Sequence, residues 1–176
     1  MTKRLCAVAA IMALAAACSA DPAAPAKSAN RLEAKCHITF EVADKWKAKP
    51  VEPSGDSLAE AAGLKLCYEI DAKGAGLLGF IRVWSGDDPN ADVRQTLEAF
   101  LAEEGKKGAQ HEYSQTKAGT TEVVEAVSAT KEAKDKGFAV ATPKGIVAVL
   151  WRGLDDEEFE DGMAAYDLAK STLKVE

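Results

Sequence analysis

Histidine is nearly missing from this chain. Of its 176 residues only His37 and His111 carry an imidazole, and 74 positions separate them. No H-x-x-H, H-E-x-x-H, C-x-x-C or G-x-S-x-G spacing occurs. Zinc centres and nucleophile–base triads therefore lack their ordinary signatures, and no cofactor or metal set can be assigned. Long apolar runs are missing too. The longest, Leu5 to Ala17, covers only ~20 Å as a helix, short of the ~30 Å of a bilayer core. A permanent spanning helix is not expected, and no second segment is long enough. Basic residues are in deficit, 22 Lys and Arg against 28 Asp and Glu. An acidic body is repelled by nucleic acid and by anionic headgroups, which argues against a nucleic-acid partner and against flat docking on a bilayer.

What is present begins at the N-terminus. Lys3 and Arg4 precede the apolar run, and Ala15-Ala16-Ala17 lead into Cys18. These are the three parts of an export signal. The arrangement resembles a bacterial lipoprotein signal, in which the cysteine is acylated and becomes the first residue of the mature protein. The same alanines satisfy the A-x-A rule for an ordinary secreted protein, so two processing routes share one bond. Cysteine arithmetic favours lipid. Removal of the signal discards Cys6 and leaves Cys18, Cys36 and Cys67, an odd number in an oxidising compartment. Acylation consumes Cys18 as a thioether and leaves Cys36 and Cys67 as one pairable couple. Their disulfide would close a loop of about thirty residues and contribute ~3–4 kcal/mol. A diacylglyceryl group on Cys18 brings two chains, enough for stable membrane attachment where one chain gives only marginal binding.

The expected organisation is a lipoprotein signal peptide over 1–17, a lipidated cysteine and flexible tether over 18–35, and one extracytoplasmic domain over 36–176. The tether is small, Pro-dotted and without apolar periodicity. Its seventeen residues after Cys18 span ~55–60 Å fully extended and ~23 Å as a coil. Loss of Lys3 and Arg4 leaves 20 basic against 28 acidic residues, a net charge of −8.

Within the domain, Cys36–Val42 alternates as a strand, and 47–56 reads as an edge strand giving way to a loop. Ser57-Leu58-Ala59-Glu60 has capping-box spacing, with Gly63 placed to end a short helix. Leu64, Leu66, Tyr68 and Ile70 alternate on one face of a second strand. A third, Leu77–Trp84, is apolar on both faces and suits a central position. Asp88-Pro89-Asn90 opens a helix whose buried stripe runs through Val93, Leu97, Phe100 and Leu101, and Gly105 closes it. An edge strand at 109–116, a strand at 120–130 and a hairpin of 137–142 with 145–152 follow. A helix over 155–173 ends the chain. This order predicts an α+β fold, an antiparallel sheet flanked by helices.

One stretch adds a family. Thr39-Phe40-Glu41-Val42-Ala43-Asp44-Lys45-Trp46 resembles the opening F-x-V-P-x-x-W strand and turn of PsbP-like lipoproteins, with Ala43 where Pro is usual. The element order down to Thr172-Leu173-Lys174-Val175 is similar as well. The resemblance implies the α/β/α sandwich shared with the extrinsic photosystem II protein P, and members that are mostly accessory or binding proteins. It carries over no catalytic set.

The remaining motifs have plain structural explanations. Gly74-Ala75-Gly76-Leu77-Leu78-Gly79 matches G-x-G-x-x-G, but the β-forming Phe80–Trp84 follows where a dinucleotide site needs a helix. Asp88–Asp92 imitates half a calcium loop, with Val93 and Ala99 at the positions that require Gly and Glu. Asp155–Glu158 fits the positive end of a helix. His111, Glu112 and Tyr113 could form an acid–base set but read more simply as a solvated edge. Trp46, Trp84 and Trp151 are core or rim aromatics, or the lining of a ligand groove. The expected protein is a non-enzymatic, lipid-anchored envelope module that binds an unidentified envelope protein. Carriage of a small or hydrophobic ligand is the alternative, and an envelope hydrolase the least favoured class.

Overall fold

The computed structural model describes residue 26 and residues 28–52 and 58–176. In chain order its elements are β1 (Ser28–Arg31), β2 (Ile38–Thr39), β3 (Glu41–Ala43), β4 (Lys47–Pro50), β5 (Leu58–Ala59), β6 (Leu64–Asp71) and β7 (Phe80–Ser85). Then come α1 (Val93–Glu104), β8 (Gln110–Ala118), β9 (Thr121–Ala129), β10 (Lys134–Thr142), β11 (Gly145–Arg152), α2 (Asp156–Ser171) and β12 (Lys174–Val175). The main sheet runs β4-β6-β7-β11-β10-β9-β8, with β5 also paired to β6, and its pairs are antiparallel. Two small ribbons, β1 with β3 and β12 with β2, complete the α+β architecture.

Period-two patterning divides the core into two layers. Along β11, Ile146, Ala148 and Leu150 face the α1 side, while Val147, Val149 and Trp151 face the α2 side. Every residue from Gly145 to Trp151 is buried, as expected of a strand covered on both faces. Leu97, Phe100 and Leu101 of α1 pack on Trp84 and Leu150. Phe159, Ala165, Tyr166 and Ala169 of α2 pack with the N-terminal ribbon on the opposite side. Both helices are capped by aspartate, Asp92 accepting from the Gln95 N–H and Asp155 from the Glu158 N–H. Asp88 instead turns the chain before α1 by accepting from the Asn90 N–H at 2.9 Å.

Strict alternation fails in β6 at a bulge. Leu66 lies opposite Trp84 and Tyr68 opposite Val83, so Cys67 is the extra residue. Two residues facing one reverse the phase of the strand. Leu64 and Leu66 therefore join the α1 layer, whereas Tyr68 and Ile70 join the α2 layer. The expectation that all four share one face is corrected. The same bulge turns Cys67 toward Cys36, to which it is disulfide-bonded with Cα atoms 6.4 Å apart.

The expected strand over 36–42 is also broken. Ala34–Cys36 form a 3₁₀ turn and His37 sits at φ 62°, after which β2 and β3 follow as separate pieces. The left-handed residue reverses the chain so that Cys36 is fully buried. Upstream of Cys36, Ser28–Arg31 pair with β3 and Leu32 is only 3% exposed. These residues had no apolar pattern; they are ordered by borrowing the ladder of β3. The short helix expected near 57–63 is a single 3₁₀ turn, Glu60–Ala62, ended by Gly63 at φ 65°; Ser57 lies outside the described residues. Leu77–Gly79 stay outside β7, which starts at Phe80.

Candidate functional site

Two features mark the sheet margins. The first is the free edge of β8. All nine of its residues pair with β9, and among the described residues no strand lies on the other side. Gln110, Glu112, Ser114, Gln115 and Lys117 are exposed. Such an edge offers unpaired backbone N–H and C=O groups to an incoming strand. A groove of about 430 Å³ flanks it on the α1 side, bounded by Val93, Arg94, Gln115 and Val124. Another of about 470 Å³ lies along Gln110, Glu112, Val127 and Lys134. The two grooves lie toward opposite ends of the edge, one beside Gln115 and Lys117 and the other beside Gln110 and Glu112.

The second feature is a groove of about 560 Å³ between the N-terminal ribbon and β4. Leu32, Val42, Trp46 and Tyr68 supply its apolar wall, and Arg31, Lys47 and Lys49 its rim. Burial, with the nearby Glu33 carboxylate, raises the Tyr68 phenol above its ordinary pKa, so it remains a neutral hydroxyl. Lys49 is tied to Asp71 at 2.6 Å. Of the three tryptophans only Trp46 lines this groove. Trp151 stacks against it with centroids 5.4 Å apart and donates its indole N–H to the Phe159 carbonyl. Trp84 is buried in the other layer against Phe100, and its Nε1 meets no protein acceptor.

The other sequence candidates separate. His111 Nδ1 lies 2.7 Å from Ser128 Oγ across the β8–β9 pair. Ser128 is only 3% exposed, so this pair lacks the access a nucleophile needs. Glu112 points to the other face, and Tyr113 stacks under the Arg94 guanidinium at 3.8 Å. The glycine loop joins β6 to β7 through a 3₁₀ turn, and no helix starts in it. Among the described residues no cluster of His, Cys, Asp and Glu has the arrangement to hold a metal. Cys18 lies outside the described residues.

Two buried charge clusters have no sequence motif. Glu125 accepts from the Tyr166 hydroxyl at 2.9 Å and from Lys170 at 2.7 Å, with Lys136 3.8 Å away. Burial and the Glu125 carboxylate push the Tyr166 phenol well above its ordinary value, which keeps it a donor. Asp135, 1% exposed, is held by Arg152 at 3.1 Å and Lys106 at 3.5 Å. The only available signal was phase. Glu125 sits between Val123 and Val127 on an inward-facing row, where a carboxylate requires partners.

An antiparallel sheet with a helix on each face and an N-terminal ribbon is an α+β sandwich in its class. The chain belongs to the Lipoprotein_23 family, described as uncharacterised lipoprotein, whose model matches residues 9–173. Its fold is PsbP-like. It is similar to the solution structure of cyanobacterial PsbP (CyanoP) from Synechocystis sp. PCC 6803, with TM-score 0.55 and 12% identity over 85% of this chain and 93% of that one. No curated protein matches it.

Proposed function

We propose that this lipoprotein is a non-catalytic accessory module of the cell envelope, acylated at Cys18 and held on the extracytoplasmic face by a diacylglyceryl group. In this role it docks a partner protein by strand addition at β8. The family supports the lipid anchor, since its matched region includes Cys18. The observation that carries the binding role is the nine-residue edge with a groove toward each end. Main-chain hydrogen bonds to β8 would supply affinity, and the grooves would select side chains. A photo-crosslinking residue at Ser114 in intact cells should trap one protein that the same residue at Asp167, on the acidic outer face of α2, does not. Adducts from Asp167 alone would move the interface to that face, and adducts from neither would contradict protein docking.

Carriage of a small amphipathic ligand is a second function, supported by the 560 Å³ groove at Trp46 and Tyr68. Its size falls within the range of small-molecule sites. Native mass spectrometry of chain released gently from membranes should then show a co-purifying adduct, and Tyr68→Ala should remove it. Bare chain under conditions that preserve the fold would rule carriage out.

A further inference from the structure

Among the described residues only two large hydrophobic side chains are strongly exposed, Leu78 at 64% and Leu154 at 62%. They lie in different loops, yet one side chain gathers both. The Glu158 carboxylate accepts the Leu78 N–H on one oxygen and the Leu154 N–H, at 2.6 Å, on the other. The two leucines are therefore neighbours at one end of the sheet, the end formed by the β3–β4, β6–β7, α1–β8, β9–β10 and β11–α2 loops.

The chain coming from Cys18 enters at this same end. Ala26 lies in a depression with Lys45, Trp46, Asp161 and Ala165. Those α2 residues are only one to two turns beyond Glu158, ~5–11 Å along the helix. β1 begins at Ser28, ten residues after Cys18 in the sequence. Ten residues reach at most ~36 Å. Charge is nearly balanced at this end. Its five loops carry Lys45, Lys73, Lys106, Lys107 and Lys131 against Asp44, Glu132 and Asp155, and the first turn of α2 adds Asp156, Glu157 and Glu158. At the other end, the β7–α1, β8–β9 and β10–β11 loops carry Asp87, Asp88 and Asp92 against Lys144 alone.

We propose that this end of the sheet rests on the lipid bilayer, with Leu78 and Leu154 dipping into the headgroup–acyl boundary. The proposal rests on the Cys18 anchor and specifies the face the anchor brings down. Insertion of exposed apolar side chains favours association, and a short link to the anchor raises their effective concentration at the membrane. The net acidic body is repelled from lying flat, so contact is end-on. This orientation holds the β8 strand upright rather than pressed to the lipid.

The test uses membranes carrying the full-length chain and a photoactivatable carbene on a lipid acyl chain. Adducts are expected within 77–79 and 153–155 and not within 86–92 or 143–144. The Leu78→Ser/Leu154→Ser double variant should lose labelling about tenfold while remaining in the membrane fraction. Acylated chain labelled equally at both ends, or joined at Leu78 and Leu154 to protein rather than lipid, would overturn the proposal. Intact mass of the same sample checks the anchor separately. If Cys18 carries no lipid, the chain is presented to phosphatidylglycerol–phosphatidylethanolamine vesicles. Binding that the double variant loses upholds bilayer contact, and its absence refutes it.

Discussion

On the α1 side of the sheet a helix lies over an apolar layer of Trp84, Ala139 and Leu150, with the buried Asp135–Arg152–Lys106 cluster at the helix's C-terminal end. On the α2 side the core includes the Cys36–Cys67 bridge, the Trp46–Trp151 pair, the Glu125–Tyr166–Lys170 network and the N-terminal ribbon. The bridge and the tryptophan pair there join residues distant in sequence. The contrast separates two ways of closing a sandwich. One depends on patterning that a helix and a strand carry by themselves, and the other on cross-links whose partners are useless alone.

Breaking the cross-links should therefore cost more than disturbing the patterned side. Removing the bridge with Cys36→Ala and Cys67→Ala is expected to lower stability by ~3–4 kcal/mol. Hydrogen exchange should locate the first loss of protection in residues 28–46, with α1 little changed. Equal loss in α1 would erase the distinction between the layers. Next in size is Gly162→Ala. A Cβ there would stand 2.0 Å from the Trp151 ring, and such overpacking costs ~1–3 kcal/mol. A urea midpoint unchanged from the parent would show that the Trp151 layer yields more easily than its geometry implies.

The two buried tryptophans sharpen the comparison. Trp151→Phe removes an indole N–H that donates to the Phe159 carbonyl, whereas Trp84→Phe deletes an indole N–H that has no protein acceptor. The first should be more destabilising than the second by ~1 kcal/mol. Smallest is a pH effect. The Tyr166 phenol is raised above its ordinary value of 10.0 in the folded state, so the folded chain holds that proton more tightly than the unfolded one. Its contribution is complete below pH 10 and declines as pH rises through the folded pKa. Thermal melts of Tyr166→Phe should lose this part of the alkaline slope, and an identical slope would remove Tyr166 as its source.

Much of the patterned half was legible in the sequence; of the cross-linked half the Cys36–Cys67 couple and the closing helix were, while the route by which they meet was not. The stripe through Leu97, Phe100 and Leu101, the Pro143-Lys144 turn and the doubly buried β11 each follow from residues close together. The bulge at Cys67 has no local signature, since Leu64 to Ile70 alternates without interruption and only pairing with β7 reveals the extra residue. That bulge also resolves how Cys36 and Cys67 meet when simple alternation would set them on opposite faces. β1 was invisible for a related reason, because Ser28–Arg31 are a strand only while β3 lies beside them. At the margins, a free edge could be anticipated near 109–116, but the groove at Trp46 arises from the ribbon folding back over β4.

The address of the protein still turns on one atom, the sulfur of Cys18. The most direct measurement is the intact mass of the chain purified from the membrane fraction. The account predicts a mature chain that begins at Cys18 and carries a diacylglyceryl adduct on that residue. The unmodified mass of residues 18–176 would contradict it, leaving a secreted domain with no lipid to bring its leucine-bearing end to the membrane.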